Sequence, residues 1–137
     1  LLIQNNVSVE VRNCYYTVYT DEKWIGFILN QLIANAVKYM EKEPKIIFET
    51  ETSQGQNVLL IRDNGIGITE SDLPRIFEKG FTGENGRTGK SSTGIGLYLC
   101  KRLCDKLGIG ITVRSVPNEG TLVSLYFPKG DFVKVQE

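Results

Sequence analysis

NVLLIRDNGIG, residues 57–67, decides the fold: an apolar run ends on an acid and then breaks into two glycines one residue apart. Such a run, bounded by turn residues, reads as a largely buried strand with Asp63 at its end. A carboxylate there is costly unless a partner satisfies it. Taken alone, Asp63-Asn64-Gly65 could equally be the turn of a type I′ hairpin. A second glycine pair lies about thirty residues on, opening GIGLYLCKRLCDKLG (94–108), whose apolar residues fall at helical spacing and whose Gly108 suits a C-cap. Between the pairs, KGFTGENGRTGKSST (79–93) has little periodicity. It reads as a long mobile loop, and a loop of that length inside a small domain usually has a function.

Working outward, VSVEVR (7–12) alternates as a strand does, and YYTVYT (15–20) reads as a second, joined by a hairpin around Asn13-Cys14. Asp21 is a good N-cap, followed at helical spacing by Trp24, Ile25, Ile28, Leu29, Leu32, Ile33, Ala36 and Val37. This helix should reach about Met40 and stop before Pro44. KIIFETET (45–52) and NVLLIRD (57–63) are strands joined by SQGQ. A short helix is expected over 70–77, started by Ser71-Asp72-Leu73-Pro74. GITVRS (110–115) and TLVSLYFP (121–128) close the chain as a hairpin across VPNEG, and 129–137 form a peripheral tail. The last helix is expected to be core along its apolar face, Tyr98 included, and Trp24 to be core or an inter-domain contact. The pattern predicts an α+β fold: a two-layer α/β sandwich, with a mixed, mostly antiparallel sheet on about three helices.

Composition narrows the function. With 137 residues the chain makes one domain, residues 1–137. Sixteen basic and sixteen acidic residues cancel, which argues against nucleic-acid binding by bulk charge. No apolar run approaches the length of a membrane span. The three cysteines, Cys14, Cys100 and Cys104, do not form a metal-type pair and read as small buried apolar side chains. A reducing cytosol is the default compartment. Histidine is absent, which excludes a histidine base or a phosphohistidine in this chain. The chain starts LLIQNN and its one methionine is Met40, so it is expected to be a piece of a longer protein.

Two familiar phosphate loops fail. GENGRTGKS (83–91) places five residues between Gly83 and Gly89 where a P-loop has four, and no strand feeds it. Neither glycine pair extends to G-x-G-x-x-G, since Glu70 and Leu99 stand at the third position. What remains is a coherent set. Asp63 only accepts hydrogen bonds and suits a ligand donor such as the exocyclic amine of adenine. Gly65 and Gly67 let the backbone approach a flat ligand. Gln31, Asn35 and Lys38 share one helical stripe; a carboxamide oxygen is a hard ligand for Mg²⁺, and a lysine can meet a phosphate. Gly94 to Gly96, at a helix start, can receive an anion, with Arg87 and Lys90 able to close over it.

In order along the chain, NQLIANAVKY, DNGIGI, IFEKGFTG, TGIGLYL and EGTLVSLYFP resemble the N, G1, F, G2 and G3 boxes of the histidine-kinase ATP-binding domain. Its Bergerat fold is shared with DNA gyrase, the mismatch-repair ATPases and the heat-shock chaperone ATPases. IFEKGFTGENGR looks most like sensor kinases of Gram-positive bacteria that respond to cell-envelope antibiotics. The resemblance implies ATP and Mg²⁺ as cofactors and a catalytic set of Asn35, Gln31 and Lys38, with Asn35 on the metal and Lys38 on phosphate. It implies that Tyr39 borders the nucleotide, that Asp63 takes adenine N6, and that Gly65, Gly67 and Ile68 line the base. Phe77 and Phe81 would anchor an ATP lid over 79–93, with Lys90 and Thr93 in it. Gly94, Ile95, Gly96 and Leu97 would face the phosphates, and Thr121 would lie beside the adenine.

The implied reaction moves the γ-phosphate of ATP to a histidine on a separate dimerisation region of the same parent protein. A response regulator acts downstream. The parent would be a membrane-bound homodimer with this domain in the cytoplasm, and the fragment a monomer. Many ATPases of the wider superfamily carry a glutamate where this chain has Gln31, and a carboxamide cannot take a proton from water. That favours transfer over hydrolysis. The alternatives are an ATP-driven conformational switch, which steady hydrolysis would support, and a serine kinase of the same fold, which a serine-bearing partner would reveal.

Overall fold

In the computed structural model of the chain, the described residues are 7–13, 18, 20–40, 43–81 and 96–128. They form β1 (Ser8–Arg12), α1 (Glu22–Lys38), β2 (Lys45–Ser53), β3 (Gln56–Asp63), a 3-10 turn (Leu73–Arg75), α2 (Gly96–Leu107), β4 (Gly110–Val116) and β5 (Gly120–Tyr126). The fold is α+β, with one mixed sheet of five strands in the order β1-β2-β3-β5-β4. Only β1 and β2 run parallel; every other neighbouring pair is antiparallel.

Local chemistry sets most boundaries. The Asp21 side chain accepts a hydrogen bond from the Trp24 amide at 3.1 Å and so caps α1. Helix α2 ends as the glycine suggested: Gly108 has φ of +73°, its N–H donates to Asp105, and the Ile109 N–H reaches back to Cys104. Those two bonds satisfy carbonyls that the helix end would leave bare. Gln54 and Gly55, both at positive φ, make the two-residue β2–β3 turn. The core joins Ile28 and Leu32 of α1, Cys100 and Cys104 of α2, and Ile46, Ile61 and Leu125 of the sheet. Both cysteines are fully buried, and burial pushes their thiols up to about 12 and about 11. They act as apolar packing; Cys14 lies outside the described residues.

The structure corrects the reading in places. The expected helix over 70–77 is a chain of turns around a single 3-10 turn. The amides of Asp72, Arg75, Glu78 and Phe81 each bond the carbonyl three residues back; the Leu73 amide reaches Thr69 four residues back, but Pro74 has no N–H to continue that spacing. Two α-helices, not three, stand among the described residues. The second strand of the expected hairpin, 15–20, falls largely outside the described residues; what holds β1 among them is β2. The two strands pair in parallel, Val9 opposite Ile46, with α1 in the connection between them. Val18 and Thr20 are not in a strand, and 14–17 and 19 lie outside the described residues. Leu99 is exposed rather than core, Trp24 is 40% exposed with the Lys23 ammonium 5.4 Å from its ring, and Tyr98 is half-buried. Among the described residues no helix is long and apolar enough to cross a membrane.

Candidate functional site

Asp63 ends β3 opposite Thr121 of β5, the direct cross-strand position, so both side chains stand on one face of the sheet. Burial pushes the Asp63 carboxyl above the usual range, and backbone N–H bonds from Gly65 and Thr121 pull it back. The Gly65 bond is 2.9 Å long. A half-buried acceptor is thus held in place by backbone donors, with no cation beside it among the described residues.

The loop after Asp63 is no hairpin turn. The Asn64 carboxamide clasps the start of β2, accepting from the Lys45 amide at 2.8 Å and donating to the Glu43 carbonyl at 2.9 Å. The Ile66 amide donates to the carbonyl of Tyr39, the C-cap of α1, at 3.1 Å. On the other side the Asn118 amide, in the β4–β5 turn, donates to the Ile66 carbonyl at 2.7 Å. The loop is therefore strung between α1 and that turn. Gly65 and Gly67, expected to make room for a ligand, are already needed by the protein itself. A Cβ on Gly65 would lie 3.0 Å from the Tyr39 carbonyl oxygen; one on Gly67, at φ of +77°, would lie 2.3 Å from the Val116 carbonyl oxygen.

These contacts leave a cleft between α1, the loop and the sheet. Leu32 and Ala36 of α1, Ile66 and Ile68 of the loop, and Val113 and Val123 of the sheet give it apolar walls. Ile76 and Phe77 stand at one side, and Leu97 of α2 at another. Asp63 and Thr121 make a polar corner, and Asn35 and Tyr39 complete the lining. A slot with apolar walls and an acceptor corner fits a flat heterocycle with a donor on its edge.

Of the residues picked from sequence, Asn35, Tyr39, Asp63, Gly65, Gly67, Ile68, Phe77, Leu97 and Thr121 meet in this cleft. Gln31, Lys38, Phe81 and Gly96 are not in its lining. Gln31 and Gly96 instead touch each other: a Cβ on Gly96 would fall 2.5 Å from Gln31 Oε1. The Lys38 ammonium lies 5.7 Å from the Tyr39 ring centre, and the Arg75 guanidinium covers the Phe81 ring at 4.5 Å. Arg87, Lys90, Thr93, Gly94, Ile95 and all of the expected lid beyond Phe81 lie outside the described residues.

Sequence reasoning missed Gly120 and Ser115. Gly120, at φ of +132°, lets β5 pass so close to β3 that a Cβ would sit 2.0 Å from the Asp63 carbonyl oxygen. Ser115 shares the inward side of β4 with Ile111 and Val113, and a polar residue at an inward position was the available signal.

Comparison with known proteins agrees with this geometry. Residues 20–131 match the family described as histidine kinase-, DNA gyrase B- and HSP90-like ATPases. The chain belongs to that family, and an ATPase domain of this kind binds ATP. It is the ATP-binding catalytic domain of a two-component sensor histidine kinase. It is 44% identical to the sensor protein BceS of Halalkalibacterium halodurans, over 96% of this chain and 40% of that protein. It is 41% identical to the sensor histidine kinase YxdK of Bacillus subtilis, over 91% of this chain and 39% of that protein. The chain thus spans about two fifths of the length of these relatives. The solved mycobacterial sensor histidine kinase MprB shares the fold, with a TM-score of 0.77 at 21% identity, covering 93% of this chain and 85% of that one.

Proposed function

We propose that residues 1–137 form one two-layer domain that binds Mg²⁺–ATP under a lid at 79–93 and passes the γ-phosphate to a histidine on another region of its parent protein. The observation that carries this is the polar corner: a half-buried Asp63 carboxylate with no cation beside it among the described residues, opposite Thr121, at the end of an apolar cleft. The adenine amine supplies the donors that this corner lacks. The apolar walls cover the faces of the base, and Tyr39 borders it.

The donor set fits a metal carried by the nucleotide. Mg²⁺ commonly takes one or two protein ligands and completes its shell with phosphate and water. Asn35 offers a carboxamide oxygen from the cleft wall. The ion would neutralise charge on the phosphates. Lys38, one turn further along α1, and the start of α2 would orient them. Gln31 rests on Gly96 where α1 meets the start of α2. As a neutral amide it takes no proton from water, so the domain favours transfer to a presented imidazole over hydrolysis.

A response regulator then receives the phosphoryl group. The parent is a membrane-bound homodimer, and this domain alone is a monomer in the cytoplasm. The form of residues 76–87 supports a parent of the Gram-positive, antibiotic-sensing type of sensor kinase.

Calorimetric titration with a non-hydrolysable ATP analogue tests the reading. The chain should bind the analogue, more tightly with Mg²⁺. Asp63→Asn should weaken binding by about a hundredfold or more, because a buried charge-assisted hydrogen bond is replaced by a mismatched amide. Binding that is indifferent to Asp63→Asn sinks it.

A further inference from the structure

We propose that Ser115 is a positioning residue that makes the cleft selective for an amino group over a keto group at the purine 6-position, by fixing the direction of the Thr121 hydroxyl. The inference rests on the nucleotide reading above and deepens it.

Proton accounting carries the case. The Ser115 hydroxyl makes three contacts: the Ile68 amide at 2.7 Å, the Gly120 carbonyl at 2.9 Å and the Thr121 hydroxyl at 2.8 Å. A serine hydroxyl has one proton to donate and two lone pairs to offer. The Ile68 N–H can only donate, so it takes one lone pair. The Gly120 carbonyl can only accept, so it takes the proton. The remaining contact is then satisfied only if Thr121 donates to Ser115. Every hydrogen-bonding site of Ser115 is filled, and the direction of each bond is set.

The consequence falls on Thr121, which lines the cleft opposite Asp63. With its proton turned toward Ser115, its oxygen presents only lone pairs to the cleft. The corner then consists of a carboxylate and a hydroxyl oxygen, both acceptors. A 6-amino purine brings two N–H donors on one nitrogen and suits this pair, directly or through a water. A 6-keto purine brings a third acceptor and meets two others. A buried mismatch of that kind discriminates strongly, whereas a freely turning hydroxyl could donate to the keto oxygen and soften it.

The test uses adenosine diphosphate and inosine diphosphate, whose bases differ only in the 6-substituent and the N1 proton. Calorimetry on the intact chain should show a clear preference for the adenosine form. Ser115→Ala should lower that preference by about fivefold to tenfold, chiefly by improving the inosine form relative to the adenosine form. Ser115→Thr, which keeps the hydroxyl, should restore the preference. In a Thr121→Val background, Ser115→Ala should leave the ratio unchanged, because the hydroxyl it acts through is gone.

Ser115→Ala also strips the Ile68 amide of its acceptor, so some loss of thermal stability is expected and does not bear on the ratio. Equal weakening of both nucleotides, or a ratio that shifts as much without Thr121 as with it, overturns the proposal. Either outcome leaves adenosine diphosphate binding by the parent chain in place, and with it the nucleotide reading. A parent chain that binds neither nucleotide overturns both.

Discussion

Two glycines, one beside the Asp63 corner and one at the start of α2, are crowded for different reasons. At Gly120 an added Cβ would meet backbone, the Asp63 carbonyl oxygen at 2.0 Å and the Asn64 Cα at 3.1 Å, and φ is +132°. At Gly96 an added Cβ would meet Oε1 of Gln31 at 2.5 Å, the far end of a flexible side chain. The Asp63 corner is built by backbone laid on backbone, with Gly67 against Val116 on its other side. The Gln31–Gly96 side is built by one side chain resting on a helix start. A base of fixed shape can be met by a rigid corner. Phosphates that must be delivered elsewhere call for a side that can adjust.

The largest expected effect follows at Gly120. Gly120→Ala should destabilise the chain by about 3 kcal/mol or more, since both the steric contact and the φ forbid a side chain. That is a large share of the roughly 5–15 kcal/mol available to a domain. The urea midpoint measures it. A midpoint close to that of the parent would mean that the corner yields, and the contrast between the two sides would fail.

Next comes a separation of stability from binding at Asp63. Burial raises its folded-state carboxyl above the unfolded value, so the ionised form is penalised in the unliganded fold. The sign follows: the contribution of Asp63 to stability is full at low pH and is lost as pH rises through the raised value. Asp63→Asn, which cannot ionise, should therefore be as stable as the parent at pH 7 or more so, by up to about 1 kcal/mol. The gap should close near about pH 4 and below. Paired urea titrations at the two pH values check this. A variant less stable than the parent at neutral pH would show that the Gly65 and Thr121 amides outweigh burial, and that the acid is there for the fold.

What the sequence disclosed divides along a physical line. Features set by neighbours in the chain were readable: the Asp21 cap, the Gly108 cap, the strand ending at Asp63 and the helical stripe carrying Asn35. Features set by distant partners were not. The parallel pairing of β1 with β2 leaves no mark on either strand's alternation. The 3-10 turn at 73–75 shares its start signals with an α-helix, and only the hydrogen-bond spacing after Pro74 tells them apart. Ser115 and Gly120 matter because of Ile68, Asp63 and Asn64, some fifty residues upstream. At Gly65 and Gly67 the expected reason was incomplete: they line the cleft, yet protein backbone already occupies the space a Cβ would need.

The smallest expected effect is at Gly96, and it is the sharpest test of the contrast. Alanine is better than glycine in a helix by up to about 1 kcal/mol, less at the first turn. Against that gain stands the displacement of the Gln31 carboxamide, a flexible group that can swing away at a cost of similar size. Gly96→Ala should therefore change stability by less than about 1 kcal/mol in either direction. In a Gln31→Ala background the obstacle is gone and only the helix gain remains, so the same substitution should become stabilising. Urea midpoints for the four proteins of this cycle give the coupling directly. Coupling of the expected sign would mean that Gln31 and Gly96 act as one adjustable joint between α1 and α2. A loss as large as that at Gly120, unchanged by removing Gln31, would mean that this side is held by backbone as rigidly as the other, and that the cleft has no soft wall.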